Sequence, residues 1–488
     1  MLISWASIVL ALVAGEAAYR LDTIPIPDAI VLEVGGMDFL ADGRLAVCTR
    51  RGEVWLVENP CGPPAAVRFK RFASGLHEPL GLAVRDGRMY VVQRGELTCL
   101  VDEDHDDRAD LYATVCDAWS LSGNYHEYAY GPKFDADGNA WITLNLAHDN
   151  VMTSPVPWRG WAVKVTPDGT MVPVAAGLRS PAGIGMDAQG NVLCTDNQGE
   201  WVGACRLTHL EPGVFAGHPA SLAWCSLPGS PLARPADPPA DKTMREAEQT
   251  MPALRLPAVW FPYRRMGQSA SDIVCDRTQG KFGPFMNQLF IGDQTTSEVM
   301  RVFLERVAGE LQGACFSFRS GFDCGVVRLA FAPDGSLFAG MTNRGWASRG
   351  NQAQALQRLV FTGETPFEML AVRARADGFE LEFTAPVDRA SAADPRSYAI
   401  KSFTYQYHPE YGSPEIDTQT LNVVQAVVAE RHVQLHVSGL RAGYVHELES
   451  AGVRSAAGEL LAHPLAFYTL NHIPDAAPAP AAPRASGQ

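Results

Sequence analysis

The sequence holds no Walker or Rossmann glycine pattern, no HExxH and no GxSxG, so the short signatures of nucleotide, zinc-protease and serine-hydrolase sites are missing. Its ten cysteines form no CxxC or CxxCH, which removes zinc-ribbon and c-type haem readings. Positive charge is short: 40 Lys and Arg stand against 54 Asp and Glu, a net charge of −14 with a pI near 5.3. That balance argues against nucleic acid or an anionic membrane surface as partner. No apolar run is long enough to span a bilayer; the longest, Ile3 to Ala14, covers only about a dozen residues. With the small-residue stretch Gly15 to Ala18 behind it, residues 1–18 read as a secretory signal whose n-region lacks Lys and Arg. A secreted or periplasmic protein follows. There an even cysteine count favours disulfides, with Cys99–Cys116 and Cys315–Cys324 as the expected pairs and buried free thiols as the alternative.

What is present is a repeat. An apolar strand, a tight turn centred on Asp-Gly or Gln-Gly and a second apolar strand recur at residues 37–47, 81–91, 133–144, 183–193 and 327–338. A degenerate copy runs from Asp272 to Gly292. The turn glycine accepts the positive φ that such hairpins need. Copies lie about fifty residues apart, except for one gap of about ninety, and strand-only repeats of that period indicate propeller blades. The expectation is all-β: a six-bladed β-propeller over residues 19–365, with an insertion at about 206–256. Beyond it, residues 366–472 alternate as short strands and suggest a small Ig-like β-sandwich. Residues 473–488 are Ala/Pro-rich and should be a disordered tail.

One stretch exceeds what a strand requires. Gly123 to Pro132 places Tyr125, His126, Glu127, Tyr128 and Tyr130 just ahead of the third repeat, where loops carry chemistry on a rigid scaffold. His126 suits a general base, since imidazole releases its proton near neutral pH; alternatively it is a structural histidine at the channel mouth. Asp102, Asp104, Asp106 and Asp110 fall at positions 1, 3, 5 and 9 of a loop. That spacing lets carboxylates wrap a hard cation such as Ca²⁺, or simply forms a solvated loop. Trp158, Trp161 and Trp346 are the tryptophans expected on the surface, where indole faces could stack on sugar rings.

Several phrases resemble a known family. Gly177 to Gly183 and Thr195 to Glu200 are similar to the fourth blade of soluble glucose/sorbosone dehydrogenases, six-bladed propellers that bind pyrroloquinoline quinone (PQQ) and calcium. Residues 126–131, 158–161, 217–221, 343–346 and 411–414 more closely resemble related propeller domains of exported planctomycete-type proteins. The resemblance implies that His126 is the base for hydride abstraction. Apart from the resemblance, Glu127 would orient His126 only if the backbone turns there, since strand neighbours face opposite ways, and Tyr125 or Tyr128 would be the acid of a non-redox site. The resemblance further implies that Arg179, with Ser180 beside it, and Arg328 contact the quinone, and that backbone carbonyls of Gln198-Gly199 help hold calcium; independently, Arg344 would converge with Arg179 and Arg328 on this cofactor site if each blade presents its inner end to the axis. Ser180 stands where the family has asparagine, and residues 292–296 offer no counterpart to a fifth-blade lysine. Three functions stay open: a quinoprotein dehydrogenase of sugars or sugar-derived alcohols or aldehydes; a non-redox lyase or hydrolase at the same mouth; or a glycan- or protein-binding propeller without catalysis. No feature of the sequence decides the oligomeric state.

Overall fold

The computed structural model describes residues 17–147 and 154–475. Most of the expected signal segment and of the Ala/Pro-rich tail lie outside the described residues.

The hairpin turns do what their sequences demand. Strand Val34–Phe39 pairs antiparallel with Leu45–Thr49, ending at Phe39 opposite Leu45. The amide of Leu40 donates to the Arg44 carbonyl at 2.9 Å, and Gly43 closes the turn at φ +87°. Residues 135–139, 187–191 and 332–336 repeat that hydrogen bond and glycine geometry, whereas Asp86-Gly87 makes a tighter two-residue turn. Each hairpin grows into a four-stranded antiparallel sheet, and the sheets are arranged as a β-propeller. The last of them, which includes Val326–Phe331, Leu337–Thr342 and Gln354–Phe361, takes its outer strand from the other end of the chain. There Tyr19–Thr23 pairs with residues 357–361 and closes the ring. Helix is scarce: among the described residues it amounts to Met244–Glu248, Arg389–Ala393 and short 3-10 turns.

Five of these sheets stand free, one fewer than the repeat count implied. The repeat at residues 270–319 is instead the first part of an eleven-stranded sheet. Its strands Glu298–Val307 and Glu310–Arg319 are ten residues long, about double their counterparts elsewhere, so they overhang the neighbouring blades. An overhanging edge exposes unpaired amides and carbonyls, and Leu465–Leu470 pairs with it, Cys315 lying opposite Phe467. Most of the remaining C-terminal strands continue that sheet, while Gln406–Tyr407 pairs with Lys242–Thr243. They bury Phe379, Leu381, Val433, Leu435 and Tyr468 together with Phe316 of the overhang.

Two further expectations are corrected. The insertion starts later than expected, because Cys205–His209 is a blade strand that pairs with Val259–Phe261 across it. All ten thiols are free. Cys99 faces Ala113 while Cys116 faces Leu97, so the ladder register keeps that pair apart. Cys315 Sγ instead meets the Trp260 carbonyl at 3.5 Å, and Cys324 Sγ lies 3.9 Å from Ser348 Oγ.

Candidate functional site

The two ends of the propeller differ in kind. Glycine turns join first strands to second strands at one end; at the other lie the connections between sheets and between second and third strands. His126, Arg179, Ser180, Gln198, Gly199 and Arg344 all stand on the latter.

At this mouth His126 is almost fully buried, at 4% exposure. Its Nδ1 lies 3.0 Å from the Leu146 carbonyl, so that nitrogen carries the proton when the ring is neutral. Nε2 is then the basic atom, 3.3 Å from Ser180 Oγ. Asn145 Nδ2 donates to the same Oγ at 3.2 Å, while Asn145 Oδ1 is buried without a hydrogen-bond partner. The strand entering this cluster is anchored by Asp196, whose carboxylate accepts the amides of Arg179 at 3.1 Å and Ser180 at 2.8 Å. Arg206 balances that charge from behind, 3.0 Å from Asp196 in full burial. The sequence thus assembles a base, a hydroxyl and an amide from three separate connections.

Arg179 joins this cluster through its backbone, and its side chain turns to Glu200, donating from Nε at 2.8 Å. One face of the guanidinium lies so close to Gly199 that a Cβ there would sit 1.9 Å from Nε. The other face is covered by the Tyr411 ring, with 5.2 Å between the guanidinium carbon and the ring centre. Tyr411 comes from the C-terminal region: the Gly412 amide donates to the Gly199 carbonyl at 3.0 Å and the Ser413 amide to the Gly203 carbonyl at 2.9 Å. His218, also near Arg179, is buried and held neutral; burial, then the charges of Arg179 and Arg206, push its pKa well below the usual histidine value.

The other residues drawn from the sequence take different places. Glu127 does not orient His126. It is fully buried and accepts the Ser122 amide and the Ser154 hydroxyl, tying the loop from within. Tyr125 is half exposed on the rim, and its carbonyl accepts from Arg94 at 2.8 Å. Arg328 lies in the central channel, where it spends its donors on the carbonyls of Gly35, Leu80, Ala182 and Val327. Arg344 pairs with Glu33 at 2.7 Å. Gln198 turns inward and donates to the Gly203 carbonyl at 3.0 Å. The Gly199 carbonyl already accepts two amides, from Val202 and Gly412, so a cation would compete for both lone pairs.

Asp102, Asp104 and Asp106 do come together, their carboxylate oxygens within 4.8 Å of one another. They sit between the third and fourth strands of a sheet, at the turn end, away from His126. Asp102 already accepts the amides of Asp106 and Asp107, and Asp110 accepts the Glu103 amide. Of the tryptophans among the described residues, only Trp346 is exposed, at 49%; Trp158 and Trp161 pack edge to face in the core.

Several mouth residues escaped the sequence reading, although the repeat marks them. Directly after the second strand of each repeat stand Arg50, Gln93, Asn145, Asn197, Gln294 and Asn343. All are polar and all but Arg50 carry an amide, a pattern visible only once the repeats are aligned by their turns. Glu78 was missed as well. It pairs with Arg50 at 2.6 Å and Arg94 at 2.9 Å. Burial alone would raise its carboxyl, but these two guanidiniums outweigh burial and hold it below the ordinary value.

This architecture defines a β-propeller with a polar, loop-built mouth. A family model described as "Domain of unknown function (DUF7133)" matches residues 51–306, just over half of the chain, and the chain belongs to that family. No curated protein matches it. Among solved structures it is similar to a Thermus thermophilus protein described as a candidate oxidoreductase (glucose dehydrogenase). The two share 17% identity at a TM-score of 0.51, over 70% of this chain and 100% of that one. It is also similar to PQQ-bound aldose sugar dehydrogenase from Streptomyces coelicolor, at 14% identity and a TM-score of 0.46, over 70% and 98% of the chains. The PQQ domain of pyranose dehydrogenase from Coprinopsis cinerea gives 13% and 0.48, over 70% and 95%. At such identities the first likeness establishes the fold alone. No helix among the described residues is long and apolar enough to cross a membrane.

A tricarboxylate such as PQQ needs cationic side chains with donors to spare. Here Arg344 answers Glu33, Arg50 and Arg94 share Glu78, and Arg328 spends donors on carbonyls, whereas Arg179 gives Glu200 its Nε alone.

Proposed function

We propose that the chain is a carbohydrate-active enzyme in which His126 is the general base, working by acid–base rather than quinone chemistry. One observation carries this reading: the imidazole is fixed on the Leu146 carbonyl and turns its basic Nε2 toward the Ser180 hydroxyl at the propeller mouth. A base so held takes a proton from a substrate hydroxyl or from water, and such a group contributes about 10²–10⁴-fold to a rate. Tyr128 is the acid. Its hydroxyl oxygen accepts from Arg50 at 3.2 Å, which directs its own hydrogen elsewhere. Tyr125 and Trp346 on the rim offer exposed aromatic faces of the kind that stack on sugar rings. Lyase or hydrolase action on a glycan fits these parts.

A sugar dehydrogenase is the second reading. It is favoured by the fold shared with the Thermus protein and by His126 meeting Arg179-Ser180 at one place. We further propose that residues 270–319 act as a sixth blade despite their fusion to the C-terminal strands, that residues 366–472 are a second folding unit, that the chain is exported, and that the Asp102 loop holds a structural Ca²⁺ ion.

The deciding experiment screens the protein on a glycan panel for new reducing ends and unsaturated products. In parallel, it screens aldoses and alditols for dye reduction with PQQ and Ca²⁺ added. The proposal expects cleavage that His126→Ala abolishes; cleavage that survives in His126→Ala removes the base, and PQQ-dependent oxidation replaces this reading with the second.

A further inference from the structure

We propose that strand Leu111–Cys116 is a docking edge, onto which an apolar segment of a partner protein, flanked by Lys or Arg, adds as a further strand. The edge lies on the propeller's flank and is independent of the chemistry at the mouth.

The outer strands of the sheets are guarded in different ways, and this one is not guarded. A strand at a sheet edge has amides and carbonyls that no neighbour takes, and proteins blunt it with charge, proline or cover. Arg68–Ala73 carries Arg68, Lys70 and Arg71. Met171–Ala176 holds Pro173 and is covered by residues 213–216, the Gly213 amide donating to the Val174 carbonyl at 2.9 Å. Trp260 of Val259–Phe261 donates its amide to Thr469 Oγ1 at 2.8 Å. Tyr19–Thr23 carries Arg20 and Asp22, and Glu310–Arg319 is paired by Leu465–Leu470. At the far edge of the eleven-stranded sheet, Arg301 caps the carbonyls of Met369 and Leu370.

Leu111–Cys116 contains neither charge nor proline. It pairs on one side only, and among the described residues no backbone hydrogen bond reaches it from the other. Another element closes in at Val115, where a Cβ on Gly169 would stand 2.7 Å from the carbonyl. Leu111 and Tyr112 are 46% and 40% exposed.

A receptacle lies beside this edge. Leu111, Ala113 and Val115, which share one face of the strand, line a cleft of 480 Å³ together with Phe134, Val165 and Pro167 of the neighbouring sheet. An added strand would continue the pleat and hang every second side chain over this cleft. Strand addition acquires its sequence preference in that way.

Charge names the occupant. Residues 102–110, the turn leading into the strand, hold six carboxylates against Arg108, and among the described residues only Asp107 is ion-paired. Asp117 stands exposed at the other end. The cleft's own arginines, Arg85 and Arg88, lie two or three strands inward. A second copy of this chain fits poorly: setting Leu111 opposite Cys116 across a two-fold axis puts Asp110 opposite Asp117 twice. A segment with cations beyond its apolar core fits both ends. Antiparallel addition brings its C-terminal flank to the acidic turn.

The test is fluorescence anisotropy of the full chain in Ca²⁺-free buffer. The probe is a labelled peptide of six residues, valine alternating with threonine, followed by three lysines. Saturable binding is expected, and replacing the lysines by glutamates should weaken it about tenfold. N-methylation of the valine amides and of the threonine amides, in separate peptides, should cost about tenfold in one series only, because one set of amides faces the edge. Leu111→Lys should weaken binding about tenfold by guarding the edge. Thr114→Lys should do the same, and it serves as the readout if Leu111→Lys alters the melting curve. No binding, equal binding of the two methylated series, or wild-type binding by both lysine variants would each overturn the docking edge. Equal binding of the lysine and glutamate peptides would overturn the basic partner. A dimer of the free chain that Leu111→Lys dissolves, seen by sedimentation, would give the edge to a second copy instead.

Discussion

The two ends of this propeller are built from opposite kinds of sequence. At the turn end, short repeated phrases close on themselves: residues 135–139, 187–191 and 332–336 form the same turn with the same glycine conformation. Even the Asp102 loop there satisfies its carboxylates with its own amides and with Arg44 and Lys70. At the mouth nothing repeats except the polar residue after each second strand, and side chains reach between connections far apart in the chain. Tyr411 covering Arg179 spans more than two hundred residues. Repetition makes the scaffold, and departures from repetition make the site.

That comparison predicts unequal effects at the two ends. The largest is at the mouth: His126→Ala should lower kcat by about 10²–10⁴-fold. The variant should lose only about 1–2 kcal/mol of stability, the share of its hydrogen bonds, as measured by urea unfolding. A variant with wild-type turnover would leave the mouth without a base. Next comes Gly199→Ala, whose Cβ would occupy the place of Arg179 Nε. The guanidinium must move and release Glu200, so we expect about 1–3 kcal/mol of destabilisation, again from urea unfolding, and weakened substrate binding. Unchanged stability would mean that Arg179 is not clamped.

Acid sensitivity should come from elsewhere. His446 in the C-terminal strands is fully buried, and burial lowers its pKa from 6.5 to about 4. The unfolded chain protonates this imidazole below about pH 6.5 and the folded one only near pH 4. Its contribution is therefore complete above pH 6.5 and lost as the pH falls toward 4, about 3 kcal/mol in all. His446→Leu should flatten the pH dependence of Tm across that window; an unchanged slope would place the titration at other groups. The smallest effect belongs to the turn end. Asp104→Ala should leave turnover as in wild type and move stability by no more than about 0.5 kcal/mol in Ca²⁺-free buffer. Added Ca²⁺ should raise the Tm of wild type and not of this variant, whereas a wild-type Tm indifferent to Ca²⁺ removes the ion from the loop.

The same division explains what could be read in advance. Strand–turn–strand phrases announced the hairpins because Asp-Gly chemistry and apolar alternation are local. His126 was visible because no strand needs it, and Arg179-Ser180 through family resemblance; the structure brings both to one place. Glu200, Glu78 and Asn145 were not visible, since each matters only through a partner from another connection. Glu127 misled by adjacency to His126; successive residues point apart, and it faces Ser122 and Ser154 instead. The Cys99–Cys116 pair failed on ladder register, which spacing does not encode. Fusion of the 270–319 repeat to the C-terminal strands depends on two strands running twice the usual length, and only the pairing with Leu465–Leu470 gives that length a meaning.

The central claim is that the mouth works through His126 rather than through a bound quinone. Calorimetric titration of PQQ into the Ca²⁺-loaded protein tests it most directly. The account predicts no heat of binding, because Arg344, Arg50 and Arg94 are already committed to carboxylates. A calcium-dependent complex of micromolar affinity or tighter would contradict it and make the chain a quinoprotein.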